Sequence, residues 1–272
     1  MKKIKRIIFV AAVVLMLQVQ LVFAGAPAIT ADAAIVIDSA TGETVYEKNA
    51  DKREYPASMT KMLTCIIGLE NGGPNRIVSI SPLAVDVECT RLTVGKELFF
   101  QDLLKQMMLI SDNGAALAVG EVIGGNQEAF AEIMNRKAIE IGAVHSHFVN
   151  PNGMPDDQHY STARDMAKIA AYGMKNAKFR ELVSTPAKSI YYLKPQGYVE
   201  YCENTNELLQ SYPGCNGIKT GYTRAAQWCL SASAQRDDRE YIVVIMHAQS
   251  DEDRYHDAAA LLEYAFSKDS QE

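Results

Sequence analysis

Strand-like runs lie at the two ends of this chain, and a long helical stretch separates them. Near the N-terminus, Ala33–Asp38, the turn residues Ala40, Thr41 and Gly42, and Glu43–Glu47 read as a β-hairpin. Near the other end, Ile218–Gly221, Gln227–Ala234 and Tyr241–His247 read as three strands, with Asp237 and Asp238 as a turn. Between them the period changes. Leu103, Leu104, Met107, Met108 and Ile110 form one apolar stripe, and Phe130, Ile133, Met134, Ala138 and Ile141 form another. Element types grouped in runs, without strict βαβ alternation, predict an α/β domain of the α+β kind, built on an antiparallel sheet. The terminal strands can share that sheet. The helical middle, about residues 75–185, is then an insertion.

Shorter signals fill in the rest. Ser58 opens a helix that runs to about Leu69 and stops at Asn71, Gly72, Gly73 and Pro74. Residues 75–98 read as short strands and turns, and 143–160 as a loop. Helices are expected at Thr162–Met174 and near Phe179–Val183, a hairpin at Ser189–Leu193 with Tyr198–Cys202, and a last helix at Ala258–Phe266. With 272 residues the chain can bury a core without staples. No internal stretch is long and apolar enough for a multi-span membrane protein.

The first residues stand apart. Lys2, Lys3, Lys5 and Arg6 precede the apolar run Ile7–Leu17, and Val22, Phe23, Ala24, Gly25 and Ala26 follow. This reads as a signal peptide over residues 1–26, cut after Ala24, Ala26 or Ala28, and it places the rest of the chain, 27–272, outside the cytoplasmic membrane. The alternative is a retained N-terminal anchor. The segment carries four basic residues and no acid, so its loss takes the formal charge from −6 to −10. Such a balance gives no support for nucleic-acid binding or a polybasic membrane grip, and cations that hold an anionic ligand must be local. Cys65, Cys89, Cys202, Cys215 and Cys229 are odd in number and suggest no disulfide framework, although Cys202 and Cys215 could close a short loop. They read as reduced, mostly buried small hydrophobes. No clustered Cys/His spacing points to zinc, and no metal or other cofactor is expected.

Three short motifs carry chemistry. In Ser58-Met59-Thr60-Lys61 the hydroxyl and the amine are three residues apart on a helix, so they share a face. A neutral Lys61 could take the Ser58 proton and make it a nucleophile, once burial or a second cation lowers its pKa. The plainer reading is an N-cap serine and a solvated lysine. Ser111-Asp112-Asn113 lies between two helices, where it suits both helix capping and hydrogen bonding to an amide substrate. Lys219-Thr220-Gly221 lies on a strand: it offers a charge, a hydroxyl, and a glycine that lets a backbone come close, unless it is an ordinary polar edge.

This set, in this order, is shared by penicillin-binding proteins and class A β-lactamases. From about Ala33 to Phe266 the chain resembles the D-alanyl-D-alanine carboxypeptidases, the low-molecular-weight penicillin-binding proteins of serine peptidase family S11. The resemblance is carried by residues 55–61, 102–104, 108–113, 147–153, 159–166 and 217–223. It implies a penicillin-binding protein/β-lactamase-like fold, with the antiparallel sheet flanked by helices. It also implies removal of the terminal D-alanine from peptidoglycan stem peptides ending in D-Ala-D-Ala, with β-lactam antibiotics as covalent inhibitors. Ser58 would be the acylated nucleophile, Lys61 its base, and Ser111 the proton relay to the leaving amine. Asn113 would hold the substrate amide, and Lys219 and Thr220 the terminal carboxylate, with Gly221 beside them. The backbone N–H groups of Ser58 and Tyr222 would form the oxyanion hole. Lys219 would help keep Lys61 neutral.

Some features depart from the family pattern. Gly114 stands where many relatives carry Asp or Thr, so the start of that helix is expected to differ. The chain ends about where the family's catalytic domain ends, which implies no C-terminal β-rich domain or membrane anchor. A class A β-lactamase reading lacks its deacylating Glu, because residues 145–150 contain no carboxylate. His145 and His147 invite a metal or base reading but read more simply as packed loop histidines. A peptidoglycan-binding or penicillin-sensing module without activity has no need of Lys61, Ser111 and Lys219 together, and the presence of all three favours catalysis. A DD-endopeptidase that cuts cross-links would use the same residues and differ only in the groove.

Overall fold

The computed structural model describes residues 25–269, so the signal-peptide reading lies almost wholly outside the described residues. Five strands form one antiparallel sheet in the order β2-β1-β9-β8-β7. They are β1 (Ala33–Asp38), β2 (Thr44–Lys48), β7 (Cys215–Thr223), β8 (Gln227–Arg236) and β9 (Arg239–Ala248). β1 pairs with β9, with Ile35 opposite Val244 and Ala33 opposite Met246. The first and last strands of the chain therefore meet in one sheet.

Side-chain alternation decides what each face of that sheet holds. Ala33, Ile35, Ile37, Ile242, Val244 and Met246 join a core shared with the helical lobe. Ala34, Val36, Leu230, Ala232, Val243 and Ile245 join a second core under α8 (Asp251–Asp269). Strands covered on both faces need apolar residues at every position, which is why β1 reads as a continuous run without alternation.

The lobe between β2 and β7 holds α1 (Lys61–Asn71), α2 (Phe100–Leu109), α3 (Asn113–Gly124), α4 (Gln127–Ile141), α5 (Ala163–Met174), α6 (Ala177–Val183) and the short α7 (Leu208–Ser211). α1 runs through its centre, with Lys61–Gly68 all buried. Two hairpin-like pairs, β3 (Ile77–Ser79) with β4 (Glu97–Phe99) and β5 (Ala187–Tyr191) with β6 (Val199–Glu203), stand apart from the main sheet.

The last helix starts seven residues before the apolar pattern does. Asp251, Glu252 and Asp253 fill its first turn, where carboxylates favour the helix dipole, and Ser250 Oγ accepts from the Asp253 N–H at 3.1 Å. A polar first turn shows no apolar period, so the pattern begins only at Ala258. The five cysteines are all free; Cys65, Cys202 and Cys229 are buried, Cys215 is half-buried and Cys89 is exposed. Among the described residues no helix is long and apolar enough to cross a membrane.

Candidate active site

Ser58 sits in a single 3-10 turn, Ala57–Thr60, which feeds directly into α1. Ala57 has φ +46°, an uncommon backbone state for a residue with a side chain. The turn is pressed against β7. A Cβ on Gly221 would lie 3.1 Å from the Pro56 carbonyl and 3.2 Å from the Ser58 nitrogen, so glycine allows the strand to approach the serine.

One helical turn on, Lys61 is fully buried. Its ammonium nitrogen lies 2.8 Å from Ser58 Oγ, 2.7 Å from Asn113 Oδ1 and 2.7 Å from the Asn152 carbonyl. Two of these partners, the amide and the backbone oxygens, can only accept. A neutral amine spends its two N–H groups on them, and its lone pair is left facing the Ser58 hydroxyl. Burial pushes Lys61 down to about 7, against the opposing pull of Asp112 and Cys89. The neutral amine is therefore well populated near neutral pH, and of the causes expected from the sequence burial is the main one.

The Ser111–Asn113 segment is fixed by Asp112. This buried carboxylate accepts from Thr90 Oγ1 (2.8 Å) and from Arg91 N–H, Gln106 Nε2 and Ala115 N–H (2.9 Å each), and it caps α3. Asn113 Nδ2 donates to the Glu88 carbonyl at 2.9 Å and faces the Met154 sulfur, a weak acceptor, at 3.8 Å. Gly114 has a local reason: a Cβ there would lie 2.3 Å from Thr90 Oγ1 and 2.4 Å from the Ala84 carbonyl. The structure thus joins Ser58, Lys61 and Asn113 in one hydrogen-bonded group. Ser111 is beside the group but not bonded into it. It is half-buried with φ +61°, a left-handed state rarely adopted outside glycine and asparagine.

β7 is an edge of the sheet, so one side of its backbone has no neighbouring strand. Lys219 is 1% exposed, and its Nζ donates to the Thr220 carbonyl at 3.0 Å. No carboxylate pairs with it among the described residues. Burial first, then the charges of Lys61 and Arg254, holds its pKa well below the ordinary lysine range. The Thr220 hydroxyl shares a 2.6 Å hydrogen bond with that of Thr205. The Tyr222 side chain is half exposed and lies on Trp228, ring centroids 4.1 Å apart.

Several groups at the site were not legible in the sequence. Arg254, from the polar start of α8, is buried, lies over Trp228 at 5.0 Å, and pairs with Asp251. Its Nε has no hydrogen-bond partner among the described residues. Asn152 contributes a backbone oxygen, which no residue type announces. Beneath Ser58, the buried His159 ring accepts at Nδ1 from the Val149 N–H (3.2 Å), so Nε2 carries the proton and faces Thr60 Oγ1 at 2.9 Å. Burial holds His159 down to about 4, so it stays neutral. His147 Nδ1 lies 2.6 Å from the Gln158 carbonyl, and the His145 N–H donates to Asp165 at 2.6 Å. Among the described residues no group of three or more His, Cys, Asp or Glu is arranged to hold a metal ion.

A serine hydroxyl beside a buried lysine amine, next to an edge strand that carries a second buried lysine, on a two-faced antiparallel sheet with a helical lobe, is the arrangement of a serine hydrolase of the penicillin-binding class. The family model for D-alanyl-D-alanine carboxypeptidase (peptidase S11) matches residues 21–250, and the chain belongs to that family. It is similar to D-alanyl-D-alanine carboxypeptidase DacF of Bacillus subtilis, 34% identical over 88% of this chain and 62% of the relative. A D-alanyl-D-alanine carboxypeptidase of a Streptomyces species is 31% identical over 89% of both chains. The crystal structure of the Streptomyces K15 DD-transpeptidase superposes with a TM-score of 0.85 at 31% identity, covering 89% of this chain and 99% of that one. The chain thus spans less than two thirds of the Bacillus relative's length and nearly all of the Streptomyces structure.

Proposed function

We propose that this protein is a serine-type D-Ala-D-Ala carboxypeptidase that acts through an acyl-enzyme on Ser58. The observation that carries this reading is Lys219, a buried amine with no acidic partner among the described residues, on an edge strand beside Ser58. A buried unpaired cation is costly, and a ligand carboxylate offsets that cost. A peptide ending in a free carboxylate fits such a site; a neutral continuation of the chain does not.

The steps follow from the contacts. Lys61 takes the Ser58 proton across 2.8 Å, and Ser58 Oγ attacks the carbonyl of the penultimate D-alanine. The N–H groups of Ser58 and Tyr222 hold the resulting oxyanion. Asn113 orients Lys61 and offers its remaining amide hydrogen to the substrate. The proton taken up by Lys61 passes through the Ser111 hydroxyl to the leaving amine, the peptide C–N bond breaks, and the terminal D-alanine departs. Lys219 and the Thr220 hydroxyl meet the terminal carboxylate, with Arg254 adding positive charge behind them. Water then cleaves the acyl-enzyme. A β-lactam acylates Ser58 by the same first steps and leaves slowly, because residues 145–150 supply no carboxylate to activate water. The substrate class places the enzyme outside the cytoplasmic membrane, in line with the signal-like residues 1–26.

The test uses the purified protein and a pentapeptide ending in D-Ala-D-Ala. Release of free D-alanine from the acid, and much less from the C-terminal amide, is the expected result. Equal hydrolysis of both would favour a DD-endopeptidase instead, and cleavage of cross-linked dimers would be its direct assay.

A further inference from the structure

Thr205 lies in the connection between β6 and α7, half-buried, and each of its polar groups ties down a different wall of the site. Its N–H donates at 3.1 Å to the Leu109 carbonyl, at the end of α2 and two residues before Ser111. Its carbonyl accepts at 2.8 Å from the Tyr255 hydroxyl, next to Arg254 on α8. Its hydroxyl meets the Thr220 hydroxyl at 2.6 Å. One residue thus joins the helical lobe, the C-terminal helix and the cationic edge strand.

Only one of two facing hydroxyls can donate into the bond between them. If Thr220 donated, its lone pairs would face the substrate carboxylate and repel it. If Thr205 donates, the Thr220 proton is free to point at the carboxylate, and the donated bond polarises it further. Neither hydroxyl has another partner among the described residues, so nothing competes with this arrangement.

We propose that Thr205 is a positioning residue for substrate recognition: it donates its hydroxyl proton to Thr220 and so turns the Thr220 hydroxyl into a donor aimed at the terminal carboxylate. The inference rests on the carboxypeptidase reading above and extends it to a residue that need not touch the substrate. A C-terminal amide depends less on this device, because its own N–H can donate to Thr220.

The experiment compares the parent, Thr205→Val and Thr205→Ser, each confirmed folded by its thermal transition. kcat/KM is measured on acid and amide forms of the D-Ala-D-Ala peptide, together with the second-order rate of acylation by penicillin, which also carries a carboxylate. One neutral hydrogen bond corresponds to about 3- to 10-fold in rate. Thr205→Val should lose about that much on the acid peptide, mainly through KM, and on penicillin. The acid-to-amide ratio should fall by the same factor, and Thr205→Ser should recover to within about twofold. Equal losses on acid and amide would show a structural role only and overturn the proposal, as would no loss on the acid. If the parent releases no D-alanine but penicillin acylation still drops in the valine variant and recovers in the serine variant, the positioning role stands and the carboxypeptidase reading falls.

Discussion

The two faces of the central sheet are built from different material. Beneath α8, Leu230, Ala232, Val243 and Ile245 share one apolar core with Ala258, Leu261, Leu262 and Ala265, and the buried polar groups of that helix, Arg254 and Asp257, lie toward its start. Toward the helical lobe, Lys61, Thr64, Asn113, Asn152 and His159 are buried and bonded to one another or to backbone. β8 shows the contrast within one strand: Leu230, Ala232 and Ala234 face α8, while Ser231 and Ser233 alternate with them. Apolar packing fixes the sheet, and the sheet holds the polar side rigid enough to bury charged groups at a cost in stability. Catalysis and stability should therefore separate when the two faces are altered.

The largest effect is expected at Ser58, the proposed nucleophile. Ser58→Ala should abolish both covalent labelling by penicillin and release of D-alanine while the thermal transition persists, because Ser58 is half-buried and leaves little cavity. Normal labelling of this variant would move the nucleophile elsewhere. Lys61→Ala comes next: loss of the general base should slow acylation by about 10²- to 10⁴-fold. Full activity in that variant would remove Lys61 from its role.

On the opposite face the expected loss is of another kind. Leu262→Ala empties a fully buried position on the inner face of α8 and should lower stability by about 2–5 kcal/mol. The kcat/KM of the folded fraction, measured below the transition, should stay at the parent value. A catalytic loss as large as that of Lys61→Ala would show that the two faces are not separable.

The same contrast explains what could be read from the sequence. Ser58 and Lys61 are legible because three residues on a helix fix their relation locally. Lys219, Thr220 and Gly221 are legible because apolar runs mark β7 to β9 as strands. The helical lobe followed from its two apolar stripes. Arg254 was hidden because the first turn of α8 is polar, and Asn152 because it acts through its carbonyl. Thr205 is distant in sequence from every motif it touches and reaches them only through tertiary packing. The balance between Lys61 and Lys219 was also out of reach, since burial sets it and burial is a property of the fold.

Lys219 sharpens the comparison further. A charge-assisted hydrogen bond contributes about 1.5–3 kcal/mol, so Lys219→Gln should lose roughly 10- to 150-fold in kcat/KM on the free-acid peptide. Preference for the acid over the amide should shrink with it. Retention of the full preference would assign the carboxylate to Arg254 instead.

The smallest expected effect is a shift in pH profile, and its sign is set by the pair of amines. Acylation needs Lys61 neutral, so the rate of penicillin labelling should rise as pH passes through about 7, where burial has placed the Lys61 amine. In the proposed mechanism carboxylate binding needs Lys219 charged; burial and the charges of Lys61 and Arg254 lower its pKa, a bound carboxylate pulls it back up, and loss of that proton sets a falling limb. The two limbs belong to the coupled pair rather than to either residue alone. Removing the Lys219 charge takes away a repulsion that favours neutral Lys61, so the rising limb of Lys219→Gln should move to higher pH. The move should be less than about one unit, since burial is the main cause of the Lys61 shift. The falling limb should disappear in the same variant, because the group that loses its proton is gone. A rising limb that moved to lower pH, or a falling limb that survived the substitution, would show that the two amines do not share one electrostatic site.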